Sequence, residues 1–380
     1  MTVLNIIFGC LALLSLALLL WQWLVARRFP LHQRVREHPF PAAISLLKPL
    51  KGCDDQTEGC LRSWFAQDYT GRVQVLFGVD SADDPVCDIV RKLLREFSER
   101  DAQLIVCSNL LGANAKVSKL VELEAMARHE VLVISDADVR VPPDFLFNAV
   151  ALLREPEVGL VNCFYELAGA TNSAMRLEAI AINADFWSQV LQARSLKPID
   201  FALGAVMITR RKQLAEIGGF KALVDCLADD YQLGHRIAVR GARIEICPVV
   251  VECRSAAMNW KAVWKHQLRW GRTIRVCQPA PYFFSILSNA TFWPLLWIVV
   301  RPQPLSLTIF LICLSVRIWA ALDLQARLTH SRGHFNYWWL VPLKDLFQMI
   351  IWFLALVGNR IEWRGQRMKL RRDGTLVSKT

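Results

Sequence analysis

The sequence predicts an α/β domain flanked by membrane helices, and three observations carry that prediction. Residues 3–25, "VLNIIFGCLALLSLALLLWQWLV", hold no charge and are long enough to cross a bilayer as one helix at about 1.5 Å per residue. From Ala42 to about Cys277, short apolar runs alternate with longer amphipathic ones, the pattern of a sheet built from β-α units. Three further apolar segments follow, at about 281–300, 303–323 and 336–358. The hydrophobic share of 54% over 380 residues exceeds that of an ordinary soluble protein, so part of the chain belongs in lipid.

The first segment reads as an anchor. A cleaved leader would want a basic start and a small-residue cleavage site, whereas Arg27, Arg28, Arg34 and Arg36 all follow the apolar run. Those arginines put the next domain on the cytoplasmic side of the cell inner membrane. Within it, "AISLLKPL", "VQVLFGVD", "QLIVCS" and "VLVISDAD" predict buried strands, and Gln56–Gln67, Val86–Glu99, Lys116–Arg128 and Pro143–Leu153 predict the helices between them. Such alternation implies a parallel sheet covered on both faces. Of the three C-terminal segments, 336–358 is expected not to cross, because Lys344 and Asp345 sit in its middle and because three crossings would put the basic tail "RIEWRGQRMKLRRDG" outside. The expected organisation is an anchor at 1–26, a catalytic domain at 40–277, membrane helices at 278–360 and a basic cytoplasmic tail at 361–380.

The net charge of +11 does not indicate nucleic acid. The basic residues gather beside apolar segments, which points to anionic lipid headgroups as the partner. Eleven cysteines with no C-x-x-C pair indicate reduced thiols and exclude a zinc site or disulfide framework.

In sheets of this kind ligands bind beyond the carboxyl ends of the strands, and three polar groups stand there. They are Lys48-Pro49, Asp80 with Asp83 and Asp84, and Asp136-Ala137-Asp138. Taken singly, the first is also a plain strand end, and the second a turn with Pro85 opening a helix. The third is harder to set aside. Two carboxylates spaced i, i+2 at the end of a buried strand can share a hard divalent cation, which would bridge the oxygens of a leaving diphosphate. Gly204 in "FALGAVMITRR" is either a strand glycine or a place where a ligand approaches the backbone. Asp229 and Asp230 in "LADDYQLGHR" precede an apparent helix, where capping alone would account for them. "WKHQLRWGR" brings Arg269 and Trp270 to an amphipathic helix before the membrane region, the same composition an interfacial belt would have.

Together "GVDSADDP", "SDAD", "LADDY" and "HQLRW", in that order, resemble membrane-bound family 2-like glycosyltransferases of the GT-A (Rossmann-like) fold. The similarity is greatest to the ceramide glucosyltransferase family, family 21, which includes bacterial hopanoid-associated glycosyltransferases. It extends through "SLLKPLKG", "DYTGRVQVLFGV", "KVSKL" and the tail "IEWRGQRMKLR". The resemblance implies that Asp80 holds the uridine nucleotide, with Lys48, Lys116 and Asp136 in the same nucleotide-sugar pocket. It implies that Asp136 and Asp138 bind Mg2+ or Mn2+, and that Asp230 is the catalytic base with Asp229 supporting it. Arg269 and Trp270 fit the last family motif, while His266 stands where that motif has Gln or Arg. Gly204 lies in the expected acceptor pocket.

The implied reaction is an inverting transfer of a hexose from a UDP-sugar to the hydroxyl of a membrane lipid, with glucose and ceramide preferred. N-acetylglucosamine and a hopanoid form the alternative pair. A processive polysaccharide synthase would need more transmembrane helices to line a channel. A non-catalytic membrane scaffold would not need charged groups gathered at strand ends.

Overall fold

The computed structural model describes residues 3–34, 40–363 and 366–378; Arg36 and Arg364 of the predicted basic clusters fall outside the described residues. The chain opens with helix α1 (Val3–Arg28). Three β-α steps and a fourth strand follow: β1 (Ile44–Pro49), α2 (Thr57–Phe65), β2 (Val73–Val79), α3 (Val86–Glu96), β3 (Asp101–Val106), α4 (Ala115–Met126) and β4 (Val131–Ser135). Next come β5 (Val139–Arg140), α5 (Phe145–Ala151), β6 (Val158–Leu167), α6 (Ser173–Ile180) and α7 (Trp187–Arg194), the last two joined by a π-helical turn, Ala181–Phe186. The middle of the chain closes with β7 (Val206–Arg210), α8 (Arg211–Glu216), α9 (Asp229–Val239), β8 (Arg243–Cys253) and α10 (Trp260–Cys277). The remainder is α11 (Pro279–Phe284), α12 (Phe292–Val300), α13 (Pro304–Thr329), α14 (Leu340–Val357) and three short strands, β9 (Arg360–Trp363), β10 (Gln366–Leu370) and β11 (Leu376–Ser378).

These elements group into two compact units, neither contiguous in sequence. One, the sheet unit, comprises 31–169, 198–256 and 374–380; the other, the helical unit, comprises 1–30, 170–197 and 257–373.

The sheet unit is built on an eight-stranded sheet of order β3-β2-β1-β4-β7-β6-β8-β5. All four predicted strands form, and each predicted helix forms within its expected range or one residue beyond it. Strands β1 and β4 are buried along their whole length, as continuous apolar runs require. The sheet is mixed, not parallel throughout. Strands β3, β2, β1 and β4 run parallel, but β7 pairs antiparallel with both β4 and β6, and β5 antiparallel with β8. An apolar run reports burial on both faces, which β7 shares with its neighbours, and carries no information about strand direction. Because the chain leaves β1 for β2 on one side and later enters β4 on the other, the carboxyl ends of β1 and β4 meet at a switch in strand order. Lys48, Asp80 and Asp136 stand at or just past the carboxyl ends of β1, β2 and β4.

Among the described residues, the helical unit contains three helices long and apolar enough to cross a membrane: α1, α13 and α14. The segment expected at 281–300 is broken instead, with the stretch Pro279–Ser288 bent 56° against α12. Within the segment 336–358, helix α14 runs from Leu340 to Val357. The mid-segment charges that argued against a crossing there, Lys344 and Asp345, are paired. Arg317 of α13 makes bidentate contacts with Asp185 of the π-helical turn, at 3.0 and 2.9 Å, and with Asp345, at 2.8 Å twice. Lys344 joins Asp185, and the Thr291 hydroxyl donates to Asp345 at 2.6 Å. A charge in an apolar unit is costly alone, and here each has its counter-ion.

Candidate active site

Asn114 starts the site. Fully buried, it caps α4 by accepting from the N–H groups of Lys116 (3.0 Å) and Val117 (3.2 Å), the usual use of asparagine at a helix start. Its side-chain amide donates to the Cys226 carbonyl at 2.8 Å and reaches Asp229 at 3.5 Å. One residue thus ties the start of α4 to the loop before α9. From α4, Lys116 extends its ammonium between two carboxylates, Asp136 at 2.8 Å and Asp229 at 3.0 Å. Burial opposes that positive charge, but Asp136 and Asp229 outweigh it and push the Lys116 pKa above its ordinary value.

One helical turn on, buried Lys119 meets Asp80, which Lys51 also approaches at 3.4 Å. Burial works against the Asp80 charge, yet these two lysines hold its pKa below the usual carboxylate range. Sequence reasoning chose Lys116 and passed over Lys119 and Asn114. The signals were there: the two lysines are spaced i, i+3 on one helix face, and an asparagine directly before a helical stretch is a cap.

Lys48, expected in the nucleotide-sugar pocket, sends its ammonium to the end of β4. It is fully buried, stacks over Trp64 at 5.1 Å, and donates to the Asp136 carbonyl and, at 3.2 Å, to the Ser135 hydroxyl. Burial lowers its pKa to about 8. In this arrangement it holds the backbone that carries Asp136.

The adjacent carboxylates Asp229 and Asp230 occupy the first turn of α9, where the helix dipole favours them. They diverge in environment. Asp229 is buried against Lys116, while Asp230 accepts from the N–H of Tyr231 at 2.7 Å. Burial, and then the charge of Asp229, raise the Asp230 pKa to about 6. Stacking holds the turn in place: the Tyr231 ring lies 5.9 Å from Phe201 and 5.5 Å from His235. Gly204 sits directly under Asp230, since a methyl group added there would lie 2.6 Å from Asp230 Oδ2.

Asp138 lies two residues beyond Asp136, directly before β5. Burial and the neighbouring Asp136 charge raise its pKa to about 6. Two carboxylates that repel each other in this way fit a hard cation. Among the described residues no cluster of three or more His, Cys, Asp or Glu forms a complete cage. A cation bound here would have Asp136 and Asp138 as its protein ligands.

His266, Arg269 and Trp270 belong to α10 of the helical unit. There His266 Nδ1 is 2.6 Å from Glu178, a buried residue of α6 that also accepts from Gln267 at 2.9 Å. The His266 and Trp270 rings are 4.8 Å apart, and Trp270 lies 6.0 Å from Phe186. Glu178 gave no sign in the sequence, because its partner is 88 residues away.

The chain is 21% identical to ceramide glucosyltransferase 3 of Caenorhabditis elegans over 92% of its own length and 77% of that protein. It is 30% identical to the ceramide glucosyltransferase of Candida albicans over 29% of its length and 22% of that protein. In fold it is similar to a mannosyltransferase of Pyrobaculum calidifontis solved with GDP-Man and Mn2+. The TM-score is 0.54 at 20% identity, covering 92% of this chain and 98% of that one. The expected GT-A architecture with membrane helices is therefore the one observed. Matched to the glycosyl transferase family 21 pattern from residue 7 to residue 376, the chain belongs to that family of sugar-transferring enzymes.

Proposed function

We propose that this protein moves a hexose, glucose in first place, from a UDP-sugar to the hydroxyl of a membrane lipid, ceramide in first place, with inversion at the anomeric carbon. The observation that carries the reading is the gathering of Asp136, Lys116, Asp229 and Asp230 in the sheet unit, in a chain whose helices α1, α13 and α14 are long and apolar enough to span a membrane. Asp230 takes the proton of the attacking hydroxyl. With a pKa near 6 it is largely ionised at neutral pH, yet basic enough to accept a proton as the new bond forms. Asp229 and Lys116 hold each other and keep the first turn of α9 in register with Asp136. Asp80, fixed by Lys119, orients the uridine nucleotide, and Lys48 acts through the Asp136 backbone. A divalent cation at Asp136 and Asp138, Mg2+ or Mn2+, would neutralise charge on the departing diphosphate. Arg269 and Trp270 keep the roles that the family motif implies, and His266 departs from that motif.

In this reading the protein is integral to the inner membrane, with its sheet unit in the cytoplasm and its basic residues against anionic headgroups. UDP release by purified protein tests the proposal. Release from UDP-glucose with Mg2+ or Mn2+ should need ceramide in the micelle and stop reversibly in EDTA; release at the same rate without any lipid hydroxyl would contradict it.

A further inference from the structure

The loop that delivers Asp229 and Asp230 to α9 is gripped from two sides within the sheet unit. On one side stands the α4 start: the Asn114 N–H donates to the Val224 carbonyl at 2.7 Å and the Ala113 N–H to Asp225 Oδ1 at 2.9 Å. On the other side stands the far C-terminal segment. The Leu227 N–H donates to the Gly374 carbonyl at 3.2 Å, the Leu376 N–H donates to the Asp225 carbonyl at 2.8 Å, and Cys226 and Thr375 form an antiparallel bridge between them. The bonded backbone ends two residues before Asp229.

We infer that the segment Gly374–Leu376 is a positioning strap for the carboxylate pair, so that turnover depends on a piece of chain 144 residues beyond Asp230. The inference rests on the proposed roles of Asp229 and Asp230. Its geometry is specific. Gly374 has φ +85, a left-handed conformation that glycine adopts freely and asparagine tolerates, and its carbonyl is the acceptor for Leu227. Leu376 is buried, so the strap is packed as well as bonded. Ala228, at the cap position of α9, makes no side-chain capping bond. The helix start thus relies on the loop behind it, and a small displacement there moves a base relative to the hydroxyl it must reach.

The test compares the full chain with a chain ending at Asp373, and with Leu376→Pro, Leu376→Ile, Gly374→Val and Gly374→Asn. Removing the strap should lower kcat about tenfold or more while the KM for UDP-sugar stays within about threefold, because the base moves and the nucleotide pocket does not. Leu376→Pro, which deletes the donating N–H, should behave like the truncation, and Leu376→Ile, which keeps it, like the wild type. Gly374→Val should lose turnover and Gly374→Asn should recover much of it. Amide exchange at residues 224–230 should speed up in the truncated chain and in Leu376→Pro, a readout that needs no substrate and stands even if the sugar or lipid is misassigned. Wild-type turnover and unchanged exchange in Leu376→Pro would overturn the inference. So would an equal loss in Leu376→Pro and Leu376→Ile, which would assign the effect to side-chain packing alone.

Discussion

Replacing Asp230 by Asn should make the enzyme inactive and more stable at once. The Asp230 carboxyl has its pKa raised from 3.8 to about 6 by burial and by the charge of Asp229. In the unfolded chain it ionises near its ordinary value. As pH rises from about 4 to about 6, the unfolded state therefore gives up its proton first, and the folded state loses stability. At about 1.4 kcal/mol per pH unit, the gap between 3.8 and about 6 sets a ceiling of about 3 kcal/mol for this cost. Partial exposure of the side chain reduces it to about 1–3 kcal/mol. Asparagine carries no charge but keeps the oxygen that accepts from the Tyr231 N–H. Asp230→Asn should thus gain about 1–3 kcal/mol above pH 6 and nothing below pH 4. Turnover should fall about 10²–10⁴-fold, the usual worth of a general base, with UDP-sugar binding little changed. In the wild type, kcat should rise with pH through about 6 as Asp230 loses its proton. The assays are initial-rate UDP release and unfolding midpoints across pH 4–8. Turnover within tenfold of wild type, or a stability gain that persists unchanged to pH 4, would refute the reasoning.

Other perturbations have expected outcomes of their own. Gly204→Ala puts a methyl 2.6 Å from Asp230 Oδ2 and should cut kcat by tenfold or more; normal turnover would show that Asp230 can move without harm. Asp138→Ala should weaken cation and donor binding together by calorimetry, and a variant that binds both as tightly as wild type would remove Asp138 from the cation site. Arg317→Met leaves Asp185 and Asp345 facing each other near Lys344 and should lower stability in detergent by about 3–5 kcal/mol, read from unfolding midpoints; an unchanged midpoint would show that the cluster is not needed for packing.

Much of the sheet unit was legible because its signals are local. Strands β1, β2 and β4 are continuous apolar runs ending in polar residues, and those ends are where Lys48, Asp80 and Asp136 stand. Direction was not legible, since β7 runs antiparallel to both of its neighbours yet is buried as they are. The pairing of Lys48 with the Asp136 backbone, 88 residues on, also depends on strand order and has no short-range trace. In the helical unit the apolar runs were visible, but the fate of Lys344 and Asp345 was decided by Arg317 and Asp185, which no pattern in their own segment reveals. Asp229 and Asp230 illustrate both limits. The sequence places them at a helix start, but only their surroundings, Lys116 for one and Gly204 for the other, give them different work.

The most direct measurement of the central claim is product identification by mass spectrometry. Purified protein with Mg2+ or Mn2+ would be offered UDP-glucose, UDP-N-acetylglucosamine or GDP-mannose against ceramide, diacylglycerol and a hopanoid polyol, each in mixed micelles, with soluble sugars as competing acceptors. The account predicts a hexosyl lipid, formed fastest from UDP-glucose and ceramide and absent with Asp230→Asn. A soluble glycoside outpacing every lipid product would contradict it.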